Sequence, residues 1–224
     1  VVDRVDIKET KDSVYFKIID YKSGEKDIVY LSVYEGKQLQ LAVYMSVMKE
    51  LLERQYPEKN VIPTGMYYYH MQDKIIEEQE DSRIEKARVE NSKLTGLANV
   101  DETCRDLMDG MTGEVSPVKY KQNGELSAQN RSLVSTDELN NISSYVRDKM
   151  MDIGKEIIHG QISMNPEKGE YACPCNYCDY KSICRFEPGL GGNRYRVQPK
   201  ISDGDAKNQV LHYGKEMNSD AVDK

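Results

Sequence analysis

At 224 residues the chain is long enough to bury a real core, and it contains no run of 18 apolar residues that would span a membrane. Charged residues make up 31% of it and the formal net charge is −7 at pH 7, a balance that does not advertise the basic footprint of a typical nucleic-acid binder. Locally the picture differs. Acids crowd between Ile75 and Glu90, while Lys181, Arg185, Arg194, Arg196 and Lys200 gather near the end, so a local basic surface is compatible with the total. No secretory pattern opens the sequence, and the expected setting is the cytoplasm, away from membranes. The first residue is Val rather than Met, so the chain is expected to be a piece of a longer protein.

The opening stretch, VVDRVDIKETKDSVYFKIIDYKSG, predicts a β-hairpin. Val5 and Ile7 alternate on one arm, and Val14, Phe16 and Ile18 on the other, with KETKDS as the polar turn. If Lys11 and Asp12 form a two-residue loop, partners across the ladder have numbers summing to 23, so Asp3 falls opposite Asp20. Directly opposed residues place their Cβ atoms about 4.5–5.5 Å apart on one face, and Lys22, two residues on, shares that face. KSGEKD then breaks the strand. Residues Gly36 to Arg54 predict an amphipathic helix with Leu41, Tyr44, Met48, Leu51 and Leu52 on one side.

VIPTGMYYYHM reads as a further strand entered through a Pro–Gly turn, and residues 72–92 as a charged, exposed helical excursion. The clearest helix is TDELNNISSYVRDKMMDIGKEIIHG. Ser135 and Glu138 make a capping box, Leu139, Ile142, Val146, Met150, Ile153 and Ile157 follow at helical steps, and Gly160 ends it. From Glu187 onward apolar residues thin out, and residues 198–224 are expected to be a disordered tail. There is no repeat and no Walker A loop, since GLGGNR lacks the Lys and the strand–helix setting.

Two features carry chemistry. Carboxylates held together on a sheet repel one another unless a cation joins them, and Mg²⁺ typically takes one or two carboxylates plus substrate phosphate. A neighbouring ammonium steadies charge on a phosphoryl oxygen or orients the attacking water. Asp3, Asp20 and Lys22 therefore suit metal-assisted phosphodiester cleavage. On spacing alone, a solvated hairpin end with the same residues facing water stands beside that reading. The second feature is the cysteine usage: Cys104 is solitary, and the other four lie in CPCNYCDYKSIC. Such density without a secretory signal points to metal or cluster binding rather than a disulfide framework. Cys175, Cys178 and Cys184 are spaced C-x₂-C-x₅-C, with Cys173 two residues earlier, and spacing leaves zinc and iron–sulfur both open. Cys104 reads as a buried residue, and His70, His159 and His212 as a strand, a helix-end and a tail residue.

VVDRVD, IIDYKSG and QLAVY together resemble the RecB-type branch of the PD-(D/E)xK nucleases, whose pattern is an Asp in a VDRVD-like strand, a DYK strand end and a helix carrying Gln-x-x-x-Tyr. The resemblance implies that Asp3 and Asp20 ligate Mg²⁺ with the carbonyl of Tyr21 as a further ligand, that Lys22 is the catalytic lysine, and that Gln40 and Tyr44 support the site or the DNA strand. It extends, through PTGMYYYH, LTGLANVDETCRDLMD, SPVKY, STDELNNISSYV, IHGQISMNP and NRYR, to the nuclease domain of AddB-type subunits of helicase–nucleases. There, three C-terminal cysteines followed by an aromatic, here Phe186, mark an iron–sulfur staple. The resemblance thus implies a [4Fe–4S] cluster on Cys175, Cys178 and Cys184. The family takes its fourth thiolate, and one further acid or His for the metal, from upstream of the first strand; Cys173 is the substitute fourth ligand within this sequence.

The implied fold is α/β, a restriction-endonuclease-like mixed sheet flanked by helices with a cysteine-rich iron–sulfur C-terminal lobe. The implied layout is a nuclease core over 1–170 with a charged insertion around 72–124, a cysteine segment over 171–197, and the tail. The implied function is a Mg²⁺-dependent DNA exonuclease module that acts on single strands fed from DNA ends by a helicase, alongside an AddA-type subunit, in recombinational repair. Two alternatives are a Cas4-like iron–sulfur nuclease, against which the long insertion speaks, and a non-catalytic DNA-end clamp, against which the intact Asp3, Asp20 and Lys22 speak.

Overall fold

The computed structural model describes residues 2–71, 81–168, 173–197 and 200–214. The chain divides into two compact units, Val1–Lys149 with Asp203–Lys224, and Met150–Ser202.

A five-stranded sheet in the order β1-β2-β3-β4-β5 organises the first unit. Strands β1 (Arg4–Glu9) and β2 (Ser13–Lys22) form the expected antiparallel hairpin. Thr10 closes its loop: the Thr10 N–H donates to Ser13 O at 2.8 Å, and its hydroxyl accepts from the Ser13 N–H at 3.1 Å. Arg4 pairs with Ile19 and Val5 with Ile18, the register that a two-residue loop requires. Strand β2 runs parallel to β3 (Asn60–His70), β3 antiparallel to β4 (Thr95–Asn99), and β4 parallel to β5 (Leu133–Val134). The sheet is mixed, as expected. Its central strands are covered on both faces, which is why IPTGMYYY reads as a run rather than an alternation.

Pro63 and Gly65 lie inside β3, not in a turn before it. Phe16 pairs with Pro63 and Lys17 with Gly65, so Thr64 is an extra residue, a β-bulge, the kind of position where a strand tolerates Pro. The Thr64 hydroxyl donates to Phe16 O at 3.1 Å, and the Tyr67 hydroxyl donates to Thr64 O at 3.1 Å. Tyr67 thereby lies across Gly65, where any Cβ would run into its ring. The bulge also shifts the phase of the strand. Val61 and Pro63 before it, but Met66, Tyr68 and His70 after it, share a face with Val14, Phe16, Ile18, Asp20 and Lys22.

Helices α1 (Tyr30–Tyr34), α2 (Gln40–Gln55) and α5 (Thr136–Ile158) bury side chains in this unit. Helix α2 buries Leu41, Ala42, Met45 and Leu52, whereas Leu51, expected inside, is 49% exposed. Ala42 carries only a methyl, and α2 turns its Ala42 and Met45 side inward. The capping box of α5 is present: Ser135 N–H donates to Glu138 Oε2 at 2.7 Å and Glu138 N–H to Ser135 Oγ at 3.1 Å. Leu139, Ile142 and Val146 are buried, but Met150, Ile153 and Ile157, expected to continue the apolar line, are exposed.

The expected tail also needs correction. Residues Asp203–Leu211 form helix α7, with Ala206, Val210 and Leu211 buried. Asp203 Oδ1 accepts from Leu31 N–H at 2.8 Å, and Asn141 Nδ2 donates to Leu211 O at 2.7 Å. Three apolar residues sufficed because α1 and α5 supply the surface they cover. Residues 198–199 and 215–224 lie outside the described residues.

On the other face of the sheet Ile19, Tyr67, Leu94, Ala98, Met108 and Val118 cluster. Helix α4 (Glu102–Asp109) is N-capped by Asp101, which accepts from Cys104 N–H at 3.1 Å. Cys104 is buried as expected, and burial, then the Asp101 carboxylate, push its thiol up to about 12. So the span 72–124 is not one insertion: β4 and α4 belong to the core. Helix α3 (Asp81–Ser92) matches the expected exposed helix, and residues 72–80 lie outside the described residues.

The second unit holds short elements: paired parallel strands β6 (Glu167–Lys168) and β7 (Arg196–Val197), a 3₁₀ turn at Pro174–Tyr177, helix α6 (Lys181–Cys184) and a 3₁₀ turn at Leu190–Gly192. Among the described residues, no helix is long and apolar enough to cross a membrane.

Candidate active site

The residues singled out by the opening motif gather at the C-terminal end of β2. Asp20 is 1% exposed and faces the α2 side of the sheet with Lys22. Lys22 Nζ stands 2.6 Å from Asp20 Oδ2, a close ion pair between the ammonium and the buried carboxylate. The Asp20 carboxylate is the main reason that Lys22 titrates above its ordinary value, against a smaller opposing effect of burial. Lys22 is therefore a fixed ammonium at neutral pH.

From Lys22 the contacts run onward into α2. Its ammonium donates to Gln40 Oε1 at 2.9 Å, and Gln40 Nε2 donates to Tyr44 OH at 2.9 Å. Gln40 is the first residue of α2 and Tyr44 lies one turn later, on the same face. Asp3 precedes β1 and is exposed. Its Oδ2 accepts from Tyr21 N–H at 3.0 Å, which turns it toward the β2 end. The expected set Asp3, Asp20, Tyr21, Lys22, Gln40 and Tyr44 is thus one neighbourhood.

The donor set suits a hard cation. It offers two carboxylates and a backbone carbonyl, all oxygen, with the Lys22 ammonium 2.6 Å from the buried Asp20 carboxylate. Among the described residues no third His, Cys, Asp or Glu joins the pair.

Sequence reading missed the residues that hold the segment following Lys22. His70 pairs with Lys22 in register, and its Nε2 meets the Lys26 backbone, 2.6 Å from the N–H and 3.1 Å from the carbonyl oxygen. The Thr95 hydroxyl donates to Lys26 O. Gln38 spans the same segment: its Nε2 donates to Asp27 O at 2.7 Å and its Oε1 accepts from Val29 N–H at 2.9 Å. None of these carries a local sequence signal, because each partner is distant or in a loop.

The four clustered cysteines all lie in the second unit. Burial first, then a hydrogen bond with Cys173, raise the Cys175 thiol pKa, and Cys178 and Cys184 are near enough to add to the shift. Cys184 Sγ also lies 3.6 Å from Met164 Sδ. The thiols are neighbours, but among the described residues no three converge on one point.

Comparison with known proteins agrees with this geometry. Residues 1–185 match the PD-(D/E)XK nuclease superfamily. A protein of Listeria welshimeri, named as a subunit of an ATP-dependent helicase/deoxyribonuclease, is 34% identical over 203 residues, covering 87% of this chain and 17% of that protein. A Clostridium botulinum protein of the same name is 34% identical over 203 residues, covering 88% and 18%, and one of Lachnoclostridium phytofermentans is 29% identical over 234 residues, covering 99% and 20%. The chain spans at most 20% of the length of these three relatives, and the resemblance to AddB-type subunits is borne out over that portion. With its family match running from the first strand through the cysteines, the chain belongs to the PD-(D/E)XK nuclease superfamily.

Proposed function

We propose that the chain is a Mg²⁺-dependent deoxyribonuclease module, hydrolysing phosphodiester bonds exonucleolytically within a longer helicase–nuclease. The observation that carries the reading is the run of contacts Asp20–Lys22–Gln40–Tyr44 with Asp3 at the same strand end. Asp3, Asp20 and the Tyr21 carbonyl would hold Mg²⁺, which when bound supplies Lewis acidity and lowers the pKa of a bound water. Lys22, kept charged beside Asp20, offsets the negative charge that builds on the phosphoryl oxygens as water attacks phosphorus and the P–O ester bond breaks. Gln40 presents its oxygen to Lys22 and aims the ammonium; Tyr44 fixes the amide of Gln40 in turn.

Cys175, Cys178 and Cys184, with Cys173 as the fourth thiolate, would hold a [4Fe–4S] cluster. The all-thiol donor set and the nearness of Cys173, Cys178 and Cys184 to Cys175 support this. The relatives' name supports a setting in which a helicase feeds the nuclease and an AddA-type subunit is the partner. In that setting DNA ends are processed for recombinational repair in the cytoplasm.

The test is cleavage of end-labelled single-stranded DNA by the chain and by Lys22→Ala, with and without Mg²⁺. Cleavage that needs the metal and falls about 10³-fold in the variant is expected, the loss typical of removing one transition-state electrostatic contact. Equal cleavage by both proteins would sink the reading.

A further inference from the structure

The contacts of Lys22 leave one large side chain unaccounted for. Tyr68 is the β-partner of Asp20 and is 2% exposed, so it stands on the same face of the sheet, one strand over. The Lys22 Nζ lies 5.8 Å from the centroid of its ring, within the range of a cation–π contact. The ring is not free to swing. Its hydroxyl accepts from Gln38 Nε2 at 3.3 Å, and the same amide holds Asp27 O and, through its oxygen, the Val29 N–H.

We propose that Tyr68 is a positioning residue for Lys22: its ring is the floor that holds the ammonium between Asp20 and Gln40, and Gln38 anchors that floor to the segment following the lysine. The inference rests on the nuclease reading above for its effect on rate, but not for its geometry. Asp20 and Gln40 hold the ammonium through two oxygens, at 2.6 Å and 2.9 Å. A π-face beneath the chain supplies attraction without competing for the N–H groups. Those groups stay available to a phosphoryl oxygen. The arrangement also explains why Tyr68 is buried with its hydroxyl bonded to a glutamine: the bond fixes ring orientation, and the ring carries the function. Tyr68 touches no scissile atom, so it acts on the turnover step through Lys22 and not on binding.

The test uses the full chain with Tyr68→Phe, which keeps the ring, and Tyr68→Leu, which removes it. Thermal melting checks that both fold, and steady-state cleavage of single-stranded DNA with Mg²⁺ is the first readout. Tyr68→Phe should retain kcat within about threefold, the worth of one modest hydrogen bond. Tyr68→Leu should lose about tenfold in kcat at unchanged KM. Equal kcat in folded Phe and Leu variants, or a loss confined to KM, would overturn the proposal. The second readout needs no activity. The Lys22 ε-methylene NMR signal should carry an upfield ring-current shift in the wild type and Tyr68→Phe that is absent in Tyr68→Leu, and a signal indifferent to the ring would overturn the placement. If the wild type folds but does not cleave, the nuclease reading fails for this chain while the NMR comparison still decides the placement. Should Tyr68→Leu not fold, Gln38→Ala replaces it: a diminished ring shift with about threefold lower kcat is expected, and no change in either overturns the proposal.

Discussion

The sheet unit and the cysteine unit solve the problem of staying folded in opposite ways. The first buries Val14, Phe16, Ile18, Tyr67, Leu139, Ile142 and Val146 at 1% exposure or less. In the second, among the described residues, no hydrophobic side chain between Met150 and Ser202 is buried, and Ile157, Ile158, Ile162, Tyr177 and Ile183 are 70–89% exposed. Ordering a backbone costs about 1–2 kcal/mol per residue, and only burial or a cross-link offsets it. The first unit has burial. The second has short elements and four clustered thiols, so the proposed cluster would supply there the cross-link that burial does not.

That contrast can be broken at several points. The largest effect is expected from Ile142→Ala, which empties a fully buried site on α5 and should cost about 2–5 kcal/mol in chemical denaturation. Next is loss of the thiolate ligands. If the proposed cluster is present in anaerobically prepared chain, an iron chelator or Cys178→Ser should release amide exchange across 173–184 while leaving β2 and β3 protected; equal protection before and after would refute the proposal that a cluster orders this segment. A third effect is alkaline. Cys104 is raised from 9.0 to about 12 by burial and by Asp101, so between those values the unfolded chain has shed a proton that the folded chain keeps. Stability then falls as pH rises through that window, and Cys104→Val should flatten this part of the alkaline limb in a series of melts. The smallest effect belongs to Ile162→Ala: at 89% exposure it should move stability by no more than about 0.5 kcal/mol.

Features that depend on neighbours in sequence were legible. A two-residue loop dictates the β1–β2 register, and Ser135 with Glu138 needs only one helical turn to close. The candidate site was legible for the same reason: Asp3, Asp20 and Lys22 sit on one hairpin, and Gln40 and Tyr44 on one turn of helix. What escaped was non-local. The bulge at Thr64 is invisible until β3 is laid against β2, and it reverses which tyrosines face Lys22. Strand β4 hides in a charged stretch because its five residues include Asn99, a buried polar residue whose Nδ2 donates to Pro63 O and Thr136 Oγ1 at 2.8 Å each. Helix α7 offers three apolar residues to surfaces made far upstream. The α2 face was misjudged because Ala42, small and weakly hydrophobic, counted for little in the pattern but lies on the buried side.

The two carboxylates rest on unequal foundations. Asp20 is locked into an interior strand, whereas Asp3 stands just ahead of an edge strand and accepts a hydrogen bond from the Tyr21 amide. Fraying is cheapest at such an end, so Asp3 is expected to part from its partner more readily than Asp20 leaves its strand. The Tyr21 amide proton is consequently a gauge installed by the fold itself. Its exchange rate counts how often Asp3 lets go, and it does so in a resting protein with no DNA in the tube.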